Sequence, residues 1–179
     1  MNFLHLEQPQ AEILKQLFTM TFSDSEGPEE GKVVGQLAKN LIEQTDSKDI
    51  YVFAAMDNNV LVGAIYFTRL NFESDKKAFL LAPVAVQTDY QGKGVGQKLI
   101  KFGLDAMAQQ GVSLMFTYGD PRFYGDRLGF EHVTVDQFAA PHKLSYPHGW
   151  LAKSLTQEPL KPIAGASSSV EAFDKPEYW

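Results

Sequence analysis

Apolar and polar residues alternate along several short segments of the chain in the pattern of β-strands. Residues 2–8, NFLHLEQ, alternate in this way and predict a first short strand. The runs IYVFAAMD and VLVGAIYFTRL, at 50–57 and 60–70, flank Asn58 and Asn59. Because asparagine tolerates the positive φ of a tight turn, residues 50–70 are predicted to form a β-hairpin.

Four later segments also have the character of strands. AFLLAPVAVQ at 78–87 and VSLMFTY at 112–118 are apolar with little alternation. This pattern is typical of strands covered on both faces, so both runs predict buried strands. FEHVTV at 130–135 and GWLAKSL at 149–155 are interpreted as two final strands.

Helical spacing of apolar residues appears in three regions. The first follows Pro9, the second covers Val33–Ile42, and the third covers Val95–Gln110. Gly111 stands where a glycine would end the third helix. These segments alternate with the predicted strands and show no internal repeat, which predicts the α/β class.

Two polar segments and the C-terminal region complete this outline. SDSEGPEEG, at 23–31, is interpreted as a loop between the first two helices. PRFYGDRLGF, at 121–130, predicts a short helix that ends at its Gly-Phe pair. Residues 1–155 are predicted to form one domain, and residues 156–179 an extension whose final aromatic side chains pack on it.

Composition and charge narrow the classes of function. The 179 residues include 22 acidic and 16 basic ones, which gives a formal net charge of -6. A broad basic face is therefore not expected, and nucleic-acid binding is not indicated. An acidic chain of this kind suits small ligands or cationic acceptors.

The residue types and their spacing also bear on metals, compartment and partners. The chain has no cysteine, which excludes disulfides, thiolate nucleophiles and cysteine–zinc sites. Its four histidines form no His-Glu-x-x-His pattern, so no metal is expected. No signal-peptide pattern and no apolar run of ~20 residues is present. We expect a cytoplasmic protein that does not bind a membrane, and a homodimer is left open.

The segment YQGKGVGQKLI, at 90–100, places three glycines directly before a predicted helix. Free N–H groups and the positive end of the helix dipole meet there and favour an anion. We interpret the segment as an anion site, with a plain tight turn as the alternative. A P-loop and a dinucleotide fingerprint would both require glycine where Gln97 stands. The spacing from Gln91 to Gly96 instead fits Gln/Arg-x-x-Gly-x-Gly/Ala.

Two motifs together resemble the GNAT superfamily of N-acetyltransferases. LLAPVAVQTDYQGKGVGQKLI, at 80–100, looks like its acetyl-coenzyme A motif, and PRFYGDRLGF is similar to its later Phe-Tyr…Gly-Phe motif. The resemblance covers most of residues 1–155. It implies a mixed α/β fold with a central, largely antiparallel sheet flanked by helices, and a splayed parallel strand pair at the cofactor site.

The resemblance also implies where the co-substrate acetyl-coenzyme A binds. The backbone of Val84, Ala85 and Val86 would pair with the pantetheine arm, and an N–H near Ala85 or Val86 would hold the thioester oxygen. The residues that would wrap the pyrophosphate are Gln91, Gly92, Lys93, Gly94, Val95 and Gly96. Lys93 would add charge to this loop or be a solvated surface lysine.

Tyr124 is the candidate general acid, because relatives often use the tyrosine of the Phe-Tyr motif to protonate the departing thiolate. The alternative is a core aromatic residue. Relatives commonly place three residues between this tyrosine and the Gly-Phe pair, whereas this chain has four. Asp120 is interpreted as a helix cap, with contact to the coenzyme as the alternative.

The resemblance places the acceptor pocket at residues 22–31 and 136–149, which we expect to receive a primary amine of a small molecule or peptide. Four acidic residues of the first segment would attract such an amine or relay a proton, or are simply solvated: Asp24, Glu26, Glu29 and Glu30. No general base is assigned. The sequence therefore predicts direct acetyl transfer to an amine, and a coenzyme A-binding module without catalysis is the alternative. A nucleotide-phosphate binder is disfavoured because both phosphate fingerprints fail.

Overall fold

The computed structural model describes all 179 residues and has a mixed α/β architecture. The three α-helices are α1 (Ala11–Glu26), α2 (Pro28–Gln44) and α3 (Val95–Gln109). The strands are β1 (Asn2–His5), β2 (Ile50–Asp57), β3 (Val60–Arg69), β4 (Asn71–Phe72), β5 (Ala78–Val86), β6 (Leu114–Tyr118), β7 (Glu131–His132), β8 (Trp150–Ser154) and β9 (Ser167–Ser168).

Seven strands form one sheet in the order β1-β2-β3-β5-β6-β8-β7, and β4 pairs with β9 separately. The pairs β1–β2, β6–β8 and β7–β8 are antiparallel, whereas β5 and β6 are parallel. A largely antiparallel sheet with a parallel pair is the predicted fold class, which is therefore confirmed.

The chain divides into two compact units, of which the first comprises residues 1–67 and 83–103. Its hairpin of β2 and β3 turns at Asn58 and Asn59, with φ of 47° and 65°, so the predicted asparagine turn is confirmed. The centre of this unit is aromatic: Phe18 meets Tyr66 edge to face, with ring centroids 5.3 Å apart. Both side chains are fully buried.

The predicted loop at 23–31 is wrong, because helix occupies almost all of it. α1 continues to Glu26, only Gly27 interrupts with φ 100°, and α2 begins at Pro28. Proline is favoured in the first turn of a helix, and acidic residues there are stabilised by the helix dipole. The residue types that suggested a loop are therefore those of a helix start.

The close contact of α1 and α2 explains two glycines of α2. A Cβ atom at Gly31 would lie 1.9 Å from Ser23 Oγ, and one at Gly35 would lie 1.9 Å from Thr19 Oγ1. Neither distance is compatible with a side chain, so glycine is required where the second helix meets the first. The two helices pack through small residues at four-residue spacing.

The second unit comprises residues 68–82 and 104–179 and has its own aromatic core. Phe116 of β6 stacks on Trp150 of β8, with centroids 5.2 Å apart, and meets Phe138 edge to face at 5.3 Å. Of the predicted strand at 130–135, only Glu131 and His132 form β7. The Val133 N–H donates to the Trp150 carbonyl at 3.1 Å, which continues the β7–β8 register by one residue.

The C-terminal residues belong to the second unit. Phe173 and Trp179 are 5% and 4% exposed, and Trp179 Nε1 donates a hydrogen bond to the Phe173 carbonyl at 2.9 Å. The Trp179 ring lies parallel to Tyr118, with centroids 6.3 Å apart, and edge-on to Trp150 at 6.1 Å. These rings are part of the core of the unit, while a domain boundary at 155/156 stays a prediction.

Candidate active site

The glycine loop between β5 and α3 has the backbone conformation that its sequence predicts. Gly92 and Gly94 have φ of 72° and 78°, which side-chain-bearing residues rarely adopt. Gly96 is different, because it lies within the first turn of α3. A Cβ atom there would meet only Val86 Cγ2, at 3.4 Å. Gly92 and Gly94 are required by their backbone conformation. Gly96 instead leaves open space beside the first turn of α3.

The peptide N–H groups of this loop are available to a ligand. None of those from Gly92 to Gln97 has a hydrogen-bond acceptor within the protein. The first hydrogen bond into α3 is donated by Lys98 N to the Gly94 carbonyl, at 3.0 Å. Six consecutive donors at the positive end of a 15-residue helix therefore fit a diphosphate such as that of coenzyme A.

Three residues, Tyr90, Gln91 and Lys93, make hydrogen bonds that hold the loop in place. Gln91 donates its side-chain N–H to the Val86 carbonyl at 2.8 Å and its backbone N–H to the Thr88 carbonyl at 3.2 Å. Lys93 Nζ donates to the Asp89 carbonyl at 2.8 Å. Tyr90 OH donates to Asp57 Oδ2 at 3.0 Å, and this bond raises the Tyr90 pKa. These contacts fix the loop at its N-terminal side, where Gln91 acts by its side chain.

Val84, Ala85 and Val86 form the end of β5, directly before the loop. Ala85 and Val86 are buried, whereas Val84 is partly exposed. The parallel pairing of β5 with β6 ends earlier, at Leu80 and Phe116. At the next position the Leu81 carbonyl accepts a hydrogen bond from Thr117 Oγ1 at 2.9 Å, so a side chain replaces the backbone donor. The regular ladder therefore stops before the end of β5.

Tyr124 lies at the centre of a π-helical turn, Arg122–Asp126. A π turn contains one residue more than an α turn, and such turns are frequent at functional sites. This turn accommodates the fourth residue between Tyr124 and the Gly-Phe pair. Asp120 Oδ1 accepts from Arg122 N at 2.9 Å, which confirms its capping role at the start of the turn.

The Tyr124 ring is held by close packing. A Cβ atom at Gly119 would lie 2.7 Å from the ring, and the Phe130 ring meets it edge-on with centroids 5.8 Å apart. Burial raises the pKa of the Tyr124 hydroxyl to about 12, against an opposing effect of the Thr117 side chain. The phenol is therefore protonated at neutral pH, which is the form that a hydrogen-bond donor or acid requires.

The acidic residues singled out from the sequence lie at the ends of α1 and α2, where all four are exposed. Asp24 Oδ2 accepts a hydrogen bond from Thr88 Oγ1 at 2.6 Å. Glu29 pairs with Lys32 one turn later, at 3.5 Å. Glu26 and Glu30 have no such contact. Of the set, only Asp24 connects a helix to the segment that follows β5.

Sequence reasoning missed the environment of Tyr118, at the end of β6. Its hydroxyl accepts the Tyr146 N–H at 2.5 Å and lies 3.2 Å from Ser145 Oγ. Trp179 covers the ring. These partners are 27 or more residues away in the chain, so no local pattern signals them. The contacts attach the segment before β8 to the end of β6.

Two further structural findings concern metals and membranes. No group of three or more histidine, aspartate or glutamate side chains is arranged to hold a metal ion. None of the helices has the length and apolar character needed to cross a membrane.

The largely antiparallel sheet with one parallel pair, and the glycine loop with free amides before α3, form the arrangement that the resemblance to the GNAT superfamily implies. Residues 11–130 match the model of the acetyltransferase (GNAT) family. The chain belongs to this family. The family prediction is confirmed, and with it N-acetyltransferase activity and acetyl-coenzyme A as the acetyl donor.

Individual proteins agree with this assignment. The chain is 32% identical to the uncharacterized N-acetyltransferase YjhQ of Escherichia coli K12 over 130 residues, 69% of this chain and 71% of that protein. Its fold is similar to the crystal structure of Escherichia coli YhbS in complex with CoA, with a TM-score of 0.74, 21% identity and coverage of 97% and 92% of the two chains. A Brucella melitensis GNAT acetyltransferase in complex with acetyl-CoA has a TM-score of 0.69, 20% identity and coverage of 97% and 99%.

Proposed function

We propose that the protein transfers the acetyl group of acetyl-coenzyme A to a primary amine of a small molecule or peptide by direct attack. The observation that carries this proposal is the run of six free N–H groups from Gly92 to Gln97. Direct attack is supported by the absence of cysteine, which removes the usual thiolate for an acyl-enzyme. The amine nitrogen forms a bond to the thioester carbonyl carbon and loses a proton, while the carbon–sulfur bond breaks and the sulfur gains a proton to leave as the thiol.

The glycine loop binds and orients the donor in this proposal. The amides of Gly92, Lys93, Gly94, Val95 and Gly96 hold the diphosphate, and the α3 dipole adds to the attraction. Gln91 contributes by holding the loop against the Val86 carbonyl. The side chain of Lys93 bonds to a carbonyl of its own loop. Its positive charge therefore attracts the phosphates electrostatically and does not have to bond to them directly.

The end of β5 positions the reacting end of the donor. The backbone of Val84, Ala85 and Val86 pairs with the pantetheine arm, because β5 extends beyond its last paired residue with β6. An N–H near Ala85 or Val86 then donates to the thioester oxygen as negative charge develops on it. Backbone donors suit this role, because they are fixed before the substrate binds.

Tyr124 donates a hydrogen bond to the departing sulfur. Its pKa of about 12 keeps the hydroxyl protonated at neutral pH. The same raised pKa makes complete proton transfer to a thiolate unfavourable, because a thiol has a pKa of about 8–9. We therefore assign Tyr124 to hydrogen bonding with the sulfur in the transition state, and the proton on the released thiol is balanced by the one that the amine nitrogen loses.

The experiment is a thiol-release assay with acetyl-coenzyme A and a mixed library of primary amines. Amine-dependent release is expected for the wild type. Tyr124→Phe removes only the hydroxyl and is expected to lower kcat about 10- to 100-fold with unchanged KM for acetyl-coenzyme A. Tyr51→Phe, in β2 and outside the segments assigned to either substrate, is the matched control. Binding of coenzyme A without transfer to any amine would support the non-catalytic module instead.

A further inference from the structure

A cleft of about 530 Å³ lies within the second unit, on the segment between β7 and β8. Its walls come from residues 132–147 alone. Clefts that bind small molecules usually measure about 300–1,000 Å³ and are largely apolar, with a few polar groups. Neither the glycine loop nor Tyr124 lines this cleft.

The cleft is formed before any ligand binds, because hydrogen bonds from other segments hold the segment that lines it. Trp150 Nε1 donates to the Phe138 carbonyl at 2.9 Å, and Ser167 Oγ donates to the Ala139 carbonyl at 2.6 Å. Ile163 N donates to the Gln137 carbonyl at 3.0 Å. Three successive carbonyls of the lining segment are thus fixed by β8 and by the C-terminal region. The wall of the cleft is therefore preorganised for a ligand.

The lining carries positive and titratable groups and no carboxylate. Six lining residues are apolar: Val135, Ala139, Ala140, Pro141, Leu144 and Pro147. The polar ones are His132, Thr134, His142 and Lys143. The only acidic residue between 133 and 147 is Asp136, which does not line the cleft.

The balance of charge at the cleft differs from that of the whole chain. His142 Nε2 is engaged by Asp174 Oδ1 at 2.7 Å, whereas Lys143 makes no ion pair. A cleft with an uncompensated ammonium group is therefore present in a chain of net charge -6. A polycation would meet repulsion here, and an anion would meet Lys143 and a histidine.

We propose that this cleft binds a small organic carboxylate with an apolar body. Lys143 and His132 meet the carboxylate, and the alanine and proline residues of the wall cover the body. This site is additional to the coenzyme A site and does not depend on the proposed reaction. The carboxylate belongs either to the amine acceptor or to a separate effector, and the experiments below distinguish the two sources.

Binding is tested by calorimetric titration of the free protein with 4-phenylbutyrate and with its neutral amide. Because Lys143 is exposed, its ion pair with a carboxylate is screened by water, and the carboxylate is expected to bind up to about fivefold more tightly than the amide. Lys143→Met keeps the apolar stem and is expected to abolish this difference. Lys161→Met, at an exposed lysine outside the cleft, is expected to retain it.

A second variant tests the location. Val135 is 48% exposed, so Val135→Trp fills the cleft without replacing a core residue and is expected to prevent binding of both probes. Equal affinity for carboxylate and amide, absence of saturable binding in the wild type, or unchanged binding in Val135→Trp would each overturn the proposal. Unfolding midpoints of both variants equal to the wild type confirm that folding is intact.

The source of the carboxylate is then read from transfer kinetics. If it belongs to the acceptor, Lys143→Met raises KM for 6-aminohexanoate and leaves KM for 6-aminohexanamide unchanged. If the carboxylate belongs to an effector, 4-phenylbutyrate also changes the rate of acetyl transfer to 6-aminohexanamide. This effect is expected in the wild type and not in Lys143→Met. Both patterns retain the binding site and differ only in its use. Kinetics that neither Lys143→Met nor 4-phenylbutyrate alters would overturn both uses.

Discussion

Gly96 offers the sharpest test of the glycine loop, because stability and binding are expected to change in opposite directions. The residue lies in the first turn of α3, where φ is not positive and a side chain meets only Val86 Cγ2. Gly96→Glu and Gly96→Gln have nearly the same size and helix propensity. They differ by one negative charge beside the proposed diphosphate.

The magnitude follows from Coulomb's law. A carboxylate about 6 Å from a phosphate costs about 0.7 kcal/mol at the dielectric constant of water and about 1.4 kcal/mol at half that value. Two phosphate charges double the cost, which raises Kd by about 10- to 100-fold in the glutamate variant relative to the glutamine variant. The same glutamate stabilises the helix start by about 0.3–1 kcal/mol, so the protein itself is expected to be slightly more stable.

The assay is calorimetric titration with coenzyme A, combined with urea unfolding of the free variants. Gly96→Ala is the control and is expected to bind normally, since the motif admits alanine and the Cβ contact of 3.4 Å is an ordinary one. The difference between glutamate and glutamine variants is expected to shrink in high salt. Equal affinity of these two variants at low salt would refute a diphosphate at this helix start.

Three further predictions concern stability. Gly94→Ala forces a side chain into a φ of 78° and is expected to cost about 1–2 kcal/mol in urea unfolding; no change would argue against the left-handed conformation. Trp179→Ala removes a 4%-exposed ring and is expected to cost about 3 kcal/mol, whereas Glu177→Ala, at an exposed position, is the control that stays unchanged. Because the folded pKa of Tyr124 is about 12 and its ordinary value is 10.0, its neutral form stabilises the fold below pH 10, and that contribution is lost as pH rises toward 12. Tyr124→Phe should therefore lose less stability than the wild type between pH 10 and 12, and identical curves would contradict the raised pKa.

The sequence predicts the strands and the glycine loop well, because short-range chemistry determines both. Asn58 and Asn59 turn the hairpin by their own tolerance of positive φ. Gly92 and Gly94 likewise take up the conformation that their lack of a side chain allows. Where the backbone conformation at a position favours one residue type, that residue in the sequence is enough to predict the local structure.

The sequence-based predictions fail where tertiary contacts determine the local structure. Gly31 indicated a loop in the sequence, yet it is a helical residue whose missing side chain makes space for Ser23. The strand predicted at 130–135 ends early, because the Thr134 N–H donates to the Gln137 side chain at 2.9 Å and not to β8. The hydrogen bond between Tyr118 and Tyr146 joins residues 28 positions apart. No pattern along the chain specifies such contacts, because they depend on how distant segments meet.

The glycine-mediated contact of α1 and α2 restricts how this region of the sequence can evolve. A Cβ at position 31 would collide with Ser23 and one at position 35 with Thr19, so the residues of each pair constrain one another. Exposed residues on the same helices, such as Met20 and Val33, are under no such restriction. Substitutions are therefore better tolerated on the outward faces of the two helices than at the positions where the helices meet.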